Sequence, residues 1–355
     1  MSEPRLSASL YQRFLACPKN AALSIDPEAK ELGRPTLRAA LGLVSHSLVE
    51  SSVRIPQGWS AEQINEWFKT NWDTFVEKQF TELTRKWAPN KVPNPEKWPG
   101  YFATRASAKT LVVKNSGLLP PKSPSLSNLD NELKEEKVFR FPLVEKFLVS
   151  DDLGILGKPD FVFLENNKAT IVDYKFGNNQ EELEKHKIQM YFYQLLVESV
   201  LQKEVDRLAI VASANKVWEI PIDYGEIKKL KMDIPRVLEA LKNKRVAAVP
   251  SLENCIFCNY KSICDPFKSA NIQVSPGRPM AISGPVTHVR RIDDEFQEIL
   301  IGTKDKSSDD GIKVFGVPNG HTIKVGDEIF LSDKLDFKDT KIVGFSWNSR
   351  IFIYS

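Results

Sequence analysis

Two acidic residues and a lysine near the middle of the chain have the types and spacing suited to phosphodiester hydrolysis. Pro159-Asp160 is followed, after twelve residues, by Asp173-Tyr174-Lys175. Carboxylate oxygens bind Mg²⁺ and Mn²⁺, and water activated by such an ion attacks a phosphodiester. A nearby lysine can orient or deprotonate that water, or neutralise the charge that develops on the phosphate. On these residues alone an ion-paired surface hairpin is the default interpretation, and a metal-dependent nuclease site is the alternative.

Two strands must position these residues. Side chains alternate between the faces of a strand, so Asp173 and Lys175 of TIVDYK point one way and Tyr174 points the other. Asp160 begins the preceding strand, and a turn at 165–167 would fold the two strands into a hairpin. This hairpin would bring Asp160 beside Asp173, where the two carboxylates repel each other unless a cation lies between them.

Hydrophobic periodicity predicts the elements around this hairpin. Residues 36–51 have apolar positions at helical spacing, and Ser60 with Gln63 forms a capping-box pattern before a long helix. The aromatic side chains of that long helix are predicted to face the core. Stacking of nucleotide bases on these rings is the alternative. Further elements are the helices at about 61–87, 100–115, 180–203 and 225–245, and strands from 134 onward, at 206–213 and at 216–222.

The four cysteines are the second group that could bind a metal. Cys255, Cys258 and Cys264 have the spacing C-x2-C-x5-C, and Cys17 lies far upstream. The N-terminus has no apolar signal-peptide core, and a structural disulfide is disfavoured in a reducing compartment. Thiolates bind zinc or an iron–sulfur cluster, and the spacing alone leaves both possible, although zinc sites more often use two local C-x2-C pairs.

Composition gives bounds on location and partners. The chain has 355 residues, 42% of them hydrophobic and 27% charged, with a net charge of +3 and a pI of about 8.5. No apolar run reaches the roughly 18 residues that span a bilayer, so we expect a cytoplasmic or nucleoid-associated protein and no membrane partner. Residues 281–355 hold 10 Lys and Arg against 12 Asp and Glu. Any DNA footprint is therefore expected on the earlier part of the chain.

The last 75 residues have a different pattern from the rest. Residues 266–280 are typical of a linker, and 281–355 contain five or six short strands. This pattern predicts a small all-β barrel, with an OB-like barrel as the first candidate. We expect its aromatic residues to form mainly its core, and a surface for single strands or for a protein partner is the alternative.

Five motifs resemble one nuclease family. GKPDFVF followed by ATIVDYK resembles the core of PD-(D/E)XK nucleases, and Gln189 with Tyr193 resembles the Q-x3-Y helix motif of the RecB-type members. GLVSHSLVE resembles the histidine helix of that family, which makes His46 a candidate metal ligand. The N-terminal LSASLYQRFLACP resembles the iron–sulfur branch, which includes the AddB nuclease domain and the CRISPR-adaptation nucleases. With the late cysteines, the resemblance covers about residues 5–265 and not 281–355.

The resemblance implies a fold and a role for each candidate residue. It implies an α/β fold, a restriction-endonuclease-like core with a mixed central sheet and flanking helices, over residues 1–268 with a helical insertion at about 52–133. Metal ligands would be His46, Asp160, Asp173 and the backbone carbonyl of Tyr174, and Glu136 is a further acidic candidate. Lys175 would be the base or transition-state stabiliser, and Gln189 and Tyr193 would position the lysine or the DNA. The four cysteines, Cys17, Cys255, Cys258 and Cys264, would hold a 4Fe-4S cluster, with zinc as the alternative.

The implied function is a Mg²⁺- or Mn²⁺-dependent DNA nuclease. The resemblance favours an exonuclease for single-stranded DNA or DNA ends in repair, recombination or defence. The sequence has no G-x4-G-K-[ST] motif, so the protein is expected to act as a stand-alone nuclease or to borrow a helicase motor from a partner. The alternatives are a nuclease-fold scaffold that binds DNA or protein with little cleavage, and an RNA-directed nuclease.

Overall fold

The structure is a computed structural model that describes most of the chain. The described residues are 4–116, 141–175, 183–213, 216–244, 246–302, 311–333 and 335–354. Some sequence predictions fall elsewhere. Glu136, the connector at 118–128 and the end of the helical insertion lie outside the described residues, as do the first residues of the strands expected from 134 and of the helix expected from 180.

The chain divides into two compact units, each built from separated segments. The first contains Met1–Gln12, Thr36–Gln79 and Pro95–Arg245, and the second contains Arg13–Pro35, Phe80–Asn94 and Val246–Ser355. The predicted domain limits, 1–268 and 281–355, stay a prediction.

A five-stranded mixed sheet forms the centre of the first unit. Its strand order is β1-β4-β5-β6-β7, and a separate pair, β2 and β3, lies outside it. β4 and β5 form the predicted antiparallel hairpin, while β5 and β6 run parallel. The strands are β1 Leu143–Val144, β2 Leu148–Ser150, β3 Ile155–Gly157, β4 Phe161–Glu165, β5 Lys168–Tyr174, β6 Val205–Ser213 and β7 Lys216–Ile220.

The β4–β5 hairpin has the tight turn that its sequence favours. Asn166 and Asn167 form the two-residue loop, with φ angles of 50° and 64°, and Glu165 pairs with Lys168. Asparagine tolerates this left-handed conformation better than other non-glycine residues, and two such residues give the turn whose twist matches a hairpin. The register that follows sets Phe161 opposite Val172, one residue before Asp173.

Helices cover this sheet, and their ends follow local capping chemistry. Thr36 accepts from the Ala39 N–H at 3.1 Å, and Ser60 and Gln63 exchange the two hydrogen bonds of a capping box. The helices expected at 36–51, 61–87 and 100–115 are confirmed within two residues. The α-helices around and beside this sheet are α4 Leu37–Ser52, α5 Ala61–Trp87, α6 Tyr101–Asn115, α7 Leu183–Leu196 and α8 Tyr224–Lys242.

The predicted core roles of the α5 rings hold for two of them in the first unit. Trp72 is fully buried and Phe68 is 3% exposed, and the Trp72 indole N–H donates to the Tyr101 hydroxyl at 2.9 Å. A buried polar group needs such a partner. α7 is followed by a π-helical turn, Val197–Leu201, which accounts for the end of the longer helix that the sequence predicted.

Short helices and a curled sheet make up the second unit. The end of α1 Ala8–Ala16, from Arg13 on, belongs to this unit and leads into α2 Pro18–Ile25 and α3 Pro27–Lys30. Later segments form α9 Leu252–Cys255 and α10 Asp265–Ala270. The all-β prediction for the C-terminal residues is confirmed as a seven-stranded, mainly antiparallel sheet that curls into a half-barrel, in the order β14-β15-β12-β11-β10-β13-β16. The seven strands are β10 Ala281–Arg291, β11 Phe296–Gly302, β12 Gly311–Pro318, β13 Glu328–Ser332, β14 Asp336–Phe337, β15 Ile342–Gly344 and β16 Arg350–Tyr354. A separate antiparallel pair precedes them, β8 Gln273–Ser275 and β9 Arg278–Pro279.

Aliphatic side chains fill the half-barrel. Ile299, Val314, Val317, Leu331 and Val343 are each at most 1% exposed and belong to one cluster. Phe337 and Phe345 pack against it, as the sequence predicted for aromatic residues of this region. In the part of the chain that the structure describes, no helix combines the length and apolar character that crossing a bilayer requires.

Candidate metal centre and active site

The Asp160 carboxylate is held where β4 meets β5. Asp160 is 7% exposed, and its Oδ2 accepts a hydrogen bond of 2.7 Å from the Tyr174 backbone N–H. This bond joins the residue before β4 to the end of β5, and it is the closeness that the hairpin prediction required. One buried carboxylate is therefore fixed to the backbone of the residue that follows Asp173.

The Asp173 and Lys175 side chains lie on the same face of the strand, opposite to the Tyr174 side chain, as predicted. Asp173 is 1% exposed, and its Oδ2 lies 2.6 Å from Lys175 Nζ. The Tyr174 side chain points away and its hydroxyl accepts from Asn115 Nδ2 at 3.0 Å, which ties β5 to α6. Lys175 keeps 23% of its side chain exposed. A cation is thus anchored on a buried carboxylate but can still reach a molecule at the surface.

Gln189 and Tyr193 of α7 join this carboxylate. Gln189 Nε2 donates to Asp173 Oδ1 at 3.0 Å and to the Tyr193 hydroxyl at 2.7 Å. Residues four apart lie on one helix face, which is why both reach the end of β5. Burial raises the pKa of Tyr193, and the Asp173 charge adds to that effect, so the hydroxyl stays protonated. The pair occupies one of the two oxygens of Asp173 and leaves the other to Lys175.

His46 from α4 completes the cluster together with a residue that sequence reasoning missed. His46 Nδ1 lies 3.5 Å from Asp160 Oδ2 and 3.9 Å from Glu145 Oε1. Among the described residues, His46, Glu145 and Asp160 are the only three potential ligands whose binding atoms all lie within 4.8 Å of one another. The two carboxylates suit Mn²⁺ or Mg²⁺, whereas an imidazole is a ligand more typical of transition metals. Glu145 therefore joins the candidate ligands, and Glu136, the acidic residue proposed from sequence, lies outside the described residues.

Strand pairing places Glu145 beside Asp160, and the residues around Glu145 do not predict that pairing. Glu145 follows β1, and its backbone N–H donates to the Asp160 carbonyl at 2.9 Å. Its φ of 50° turns the chain there, and its side chain is 7% exposed. The available signal was an acidic residue directly after a short apolar strand next to the Pro-Asp strand.

Burial and like charge make this cluster costly without a cation. Burial raises the pKa of Asp160 well above its usual value, and the nearby Asp173 carboxylate raises it further. Burial lowers the pKa of His46, so its imidazole is neutral at physiological pH and has a lone pair for a metal. A divalent ion would offset the repulsion between the acids. The donor set therefore fits a divalent metal.

Lys158 is a second lysine at this site. Its ammonium pairs with the Glu145 carboxylate, and although burial acts in the opposite direction, that hydrogen bond raises the pKa of Lys158. The Lys158 side chain is about half exposed. In this arrangement it neutralises part of the charge of the acidic cluster.

The four cysteines are free thiols that line one pocket of the second unit. Lys261 and Tyr260 line the same pocket. Burial raises the pKa of the Cys258 thiol to about 11 and also raises that of Cys255. No three of the cysteine sulfurs come within 4.8 Å of one another, so they are not grouped as they would be around a single ion. The iron–sulfur assignment therefore stays a prediction.

The structure brings the predicted residues of the first unit together, but it does not test what each one does. Asp160, Asp173, Lys175, Gln189 and Tyr193 are joined by the contacts above, and His46 lies beside Asp160. The backbone carbonyl of Tyr174 directly follows Asp173, and its role as a ligand stays a prediction. The catalytic role of each side chain stays a prediction as well.

Comparison with known proteins gives the family. Residues 5–265 match the family model of the PD-(D/E)XK nuclease superfamily, about three quarters of the chain, including every residue of the carboxylate–lysine site and all four cysteines. A search of curated proteins finds no significant match. The match ends before the curled C-terminal sheet begins. This chain belongs to the PD-(D/E)XK nuclease superfamily.

Proposed function

We propose that the protein is a divalent-metal-dependent DNA nuclease that acts on single-stranded DNA or DNA ends. The observation that carries the proposal is the buried pair Asp160 and Asp173, with His46 on one side and Lys175 on the other. Two carboxylates kept in one buried site are costly to a structural protein, whereas a metal-dependent hydrolase needs both.

His46, Glu145, Asp160 and Asp173 would hold Mg²⁺ or Mn²⁺. Such an ion, when bound, supplies an activated water and neutralises charge on the phosphate. The hydrogen bond from the Tyr174 N–H keeps the Asp160 carboxylate at the site without consuming its other oxygen. The lowered pKa of His46, caused by burial, keeps that imidazole neutral as a ligand.

Lys175 would stabilise the charge that develops on the scissile phosphate. Its Nζ is held by Asp173 and its side chain is partly exposed, so it can contact a bound phosphate. Gln189 fixes Asp173 through Oδ1 and is itself braced by the Tyr193 hydroxyl. These two residues act on the reaction by positioning the carboxylate that holds the lysine.

Cleavage assays with a matched pair of lysine variants test this proposal. Lys175→Ala is expected to lower the rate on labelled DNA by about 100-fold or more, the loss typical of removing one preorganised charge-stabilising group. Lys168→Ala is the control, because Lys168 lies at the other end of β5 in an exposed pair with Glu204. It is expected to cleave at the wild-type rate.

The substrate panel decides the finer parts of the proposal. Single-stranded, blunt and overhanging DNA, closed circles and RNA are compared with Mn²⁺ and with Mg²⁺. Cleavage of ends but not circles supports the exonuclease, and cleavage of RNA alone overturns the DNA assignment. If the wild type binds DNA but cleaves none of these substrates with either metal, alone or with a partner helicase, the protein is a nuclease-fold scaffold.

We further propose that Cys17, Cys255, Cys258 and Cys264 hold a 4Fe-4S cluster. All four line one pocket, and Lys261 supplies a cation beside it, which suits an anionic thiolate group. Four sulfurs around one zinc lie ~3.8 Å apart, from Zn–S bonds of about 2.3 Å. No three of the four cysteine sulfurs form a group within 4.8 Å here.

Anaerobic purification tests the cluster. Iron and sulfide near four of each per chain, with absorption near roughly 400 nm, are expected of a 4Fe-4S protein. Cys17→Ala is expected to be colourless and less stable. Stoichiometric zinc without iron would replace the cluster by the zinc alternative, and a soluble, fully loaded Cys17→Ala protein would remove Cys17 from the ligand set.

A further inference from the structure

The loop from Cys255 to Cys264, here called the cysteine loop, contains a buried lysine that the nuclease chemistry does not use. Lys261 is 2% exposed, and its Nζ donates to the backbone carbonyls of Cys255 at 2.8 Å and of Cys258 at 2.6 Å. A buried ammonium is unfavourable unless hydrogen bonds and an opposite charge compensate it. Lys261 therefore fixes the backbone of the turn that carries two of the four cysteines.

The opposite charge comes from the C-terminal sheet. Asp333 lies one residue beyond β13, and its Oδ1 is 2.6 Å from Lys261 Nζ. The Ser332 hydroxyl donates to the other oxygen, Oδ2, at 3.1 Å. Asp333 has a φ of 65°, so the chain turns at the residue that presents the carboxylate. The Cys255 and Cys258 carbonyls hold the Lys261 ammonium, and the Ser332 hydroxyl holds the Asp333 carboxylate.

Strand β16 supplies a second, independent attachment. Arg350 is 8% exposed, and its Nη1 donates to the Asn259 carbonyl at 2.8 Å while Nη2 donates to the Leu32 carbonyl at 2.7 Å. The Tyr354 hydroxyl donates to the Ser262 carbonyl at 2.9 Å. Residues on both sides of Lys261 are thus attached to the strand that neighbours β13.

Apolar packing joins the same two parts of the chain. Cys255 belongs to a buried cluster with Phe267, Met280 and Phe330, and Cys264 packs against it. Phe330 lies in β13, so the strand that leads to Asp333 also packs against residues of the loop. The cysteine loop is therefore held by the C-terminal sheet through an ion pair, main-chain hydrogen bonds and core contacts.

We propose that the C-terminal sheet is a positioning element for the cysteine centre. Through Asp333 and Arg350 it holds the Cys255–Cys264 loop in the conformation that binds a tetrathiolate metal group. The proposal rests on the cysteines binding a metal or cluster. It gives residues 281–355 a task that needs no DNA contact, in agreement with their excess of acidic over basic residues.

Two rates measured on the full-length protein test this inference. One is iron release to a ferrous chelator from the loaded protein, and the other is the reaction of the metal-free thiols with Ellman's reagent. Asp333→Asn and Arg350→Met are expected to raise both by about 10-fold, as losing one buried charge-assisted contact does. Tyr354→Phe, which removes only a hydroxyl, is expected to give a smaller increase with the fold intact.

The same sheet offers a matched control. Asp336 forms an exposed ion pair with Lys338 in and beside β14, so Asp336→Asn removes a carboxylate three residues away without touching the loop. It is expected to leave both rates unchanged. Asp333→Glu, which keeps the charge, is expected to restore slow thiol reaction.

Urea unfolding separates positioning from general destabilisation. The proposal requires faster thiol reaction in Asp333→Asn at a urea midpoint close to that of Asp336→Asn. Equal thiol and release rates in those two variants, or a rate increase explained entirely by a lower midpoint, would overturn it. If the wild type proves to contain neither iron nor zinc, the cluster assignment fails by itself, and the thiol rates of the metal-free chain still decide the positioning role.

Discussion

Asp160 Oδ2 accepts a hydrogen bond from the backbone N–H of Tyr174, at 2.7 Å. The bond attaches the carboxylate that precedes β4 to the strand that carries Asp173, so the Asp160 side chain is fixed to the backbone next to Asp173. The same bond favours the charged form of Asp160, against the larger effects of burial and of the Asp173 charge.

Replacing Asp160 should weaken metal binding but raise the stability of the metal-free protein. The raised pKa means that the metal-free fold holds a proton that the unfolded chain releases, so the unfolding free energy falls as pH rises from 3.8 through the raised value. Asp160→Asn is therefore expected to be more stable than wild type at pH 7 without metal.

Mn²⁺ at 100 times its Kd should stabilise wild type by about 2.7 kcal/mol and the variant far less. Thermal melts with and without Mn²⁺ measure both, and equal Mn²⁺ stabilisation of the two proteins would remove Asp160 from the ligands.

Two glutamines of α7 should affect different properties: replacing Gln189 should lower kcat, and replacing Gln194 should lower stability. Gln189→Ala removes the donor to Asp173 and Tyr193 and is expected to lower kcat by about 10- to 100-fold, as misplacing a positioned group does. Gln194 is fully buried and donates to Glu198 at 2.8 Å, so Gln194→Ala should cost about 1–2 kcal/mol of stability and leave kcat unchanged. Steady-state kinetics and urea unfolding of both variants check this. Wild-type kcat in Gln189→Ala would refute its positioning role.

A glycine beside α7 should be intolerant of a methyl group. A Cβ on Gly157 would lie 2.8 Å from Leu196 Cδ1 and 3.1 Å from Tyr193 Cε1, both in buried residues. Gly157→Ala is expected to cost about 1–3 kcal/mol and to lower kcat by moving Tyr193. Gly42, inside α4, has nothing within 4 Å of its Cβ position, so Gly42→Ala should stabilise by about 0.5–1 kcal/mol. Urea unfolding measures both, and a neutral Gly157→Ala would show that Leu196 can yield.

His321 should make the protein sensitive to mild acid. Burial lowers its pKa from 6.5 to about 4, and its Nε2 lies 3.0 Å from Asn90 Oδ1. The unfolded chain takes up a proton between those values that the fold resists, so stability is complete above pH 6.5 and falls as pH drops toward 4. The loss is on the order of 2 kcal/mol after allowance for solvent screening. His321→Gln keeps a donor for Asn90 and should show a smaller loss.

Urea unfolding at pH 7 and pH 5 measures this difference, with the exposed His288 of β10 replaced in the control variant His288→Gln. The control is expected to follow wild type. If His321→Gln loses as much stability between the two pH values as wild type does, another group is responsible.

Local signals predicted the elements well. Ser60 and Gln63 marked the start of α5, the asparagine pair marked the hairpin, and the alternation in β5 placed Asp173 and Lys175 together. These features depend on residues a few positions apart, which sequence reports directly. Gln189 and Tyr193 were found because a helical spacing of four and a family motif coincide.

Long-range pairing accounts for what sequence reasoning missed. Glu145 reaches His46 only because β1 pairs with β4, and nothing within a few residues of Glu145 reports that register. Lys261 reads as an ordinary lysine until Asp333, 72 residues later, is found beside it. The second unit takes segments from three parts of the chain, a grouping that no linker or change of composition marks.

The Arg350 side chain also constrains the order of events during synthesis. It bonds Leu32, 318 residues earlier, and Asn259, 91 residues earlier. The N-terminal segment that carries Cys17 must therefore wait for almost the entire chain to leave the ribosome before its last attachment forms. A nascent chain stopped before β16 would therefore lack the side chain that joins Leu32 to the Asn259 turn.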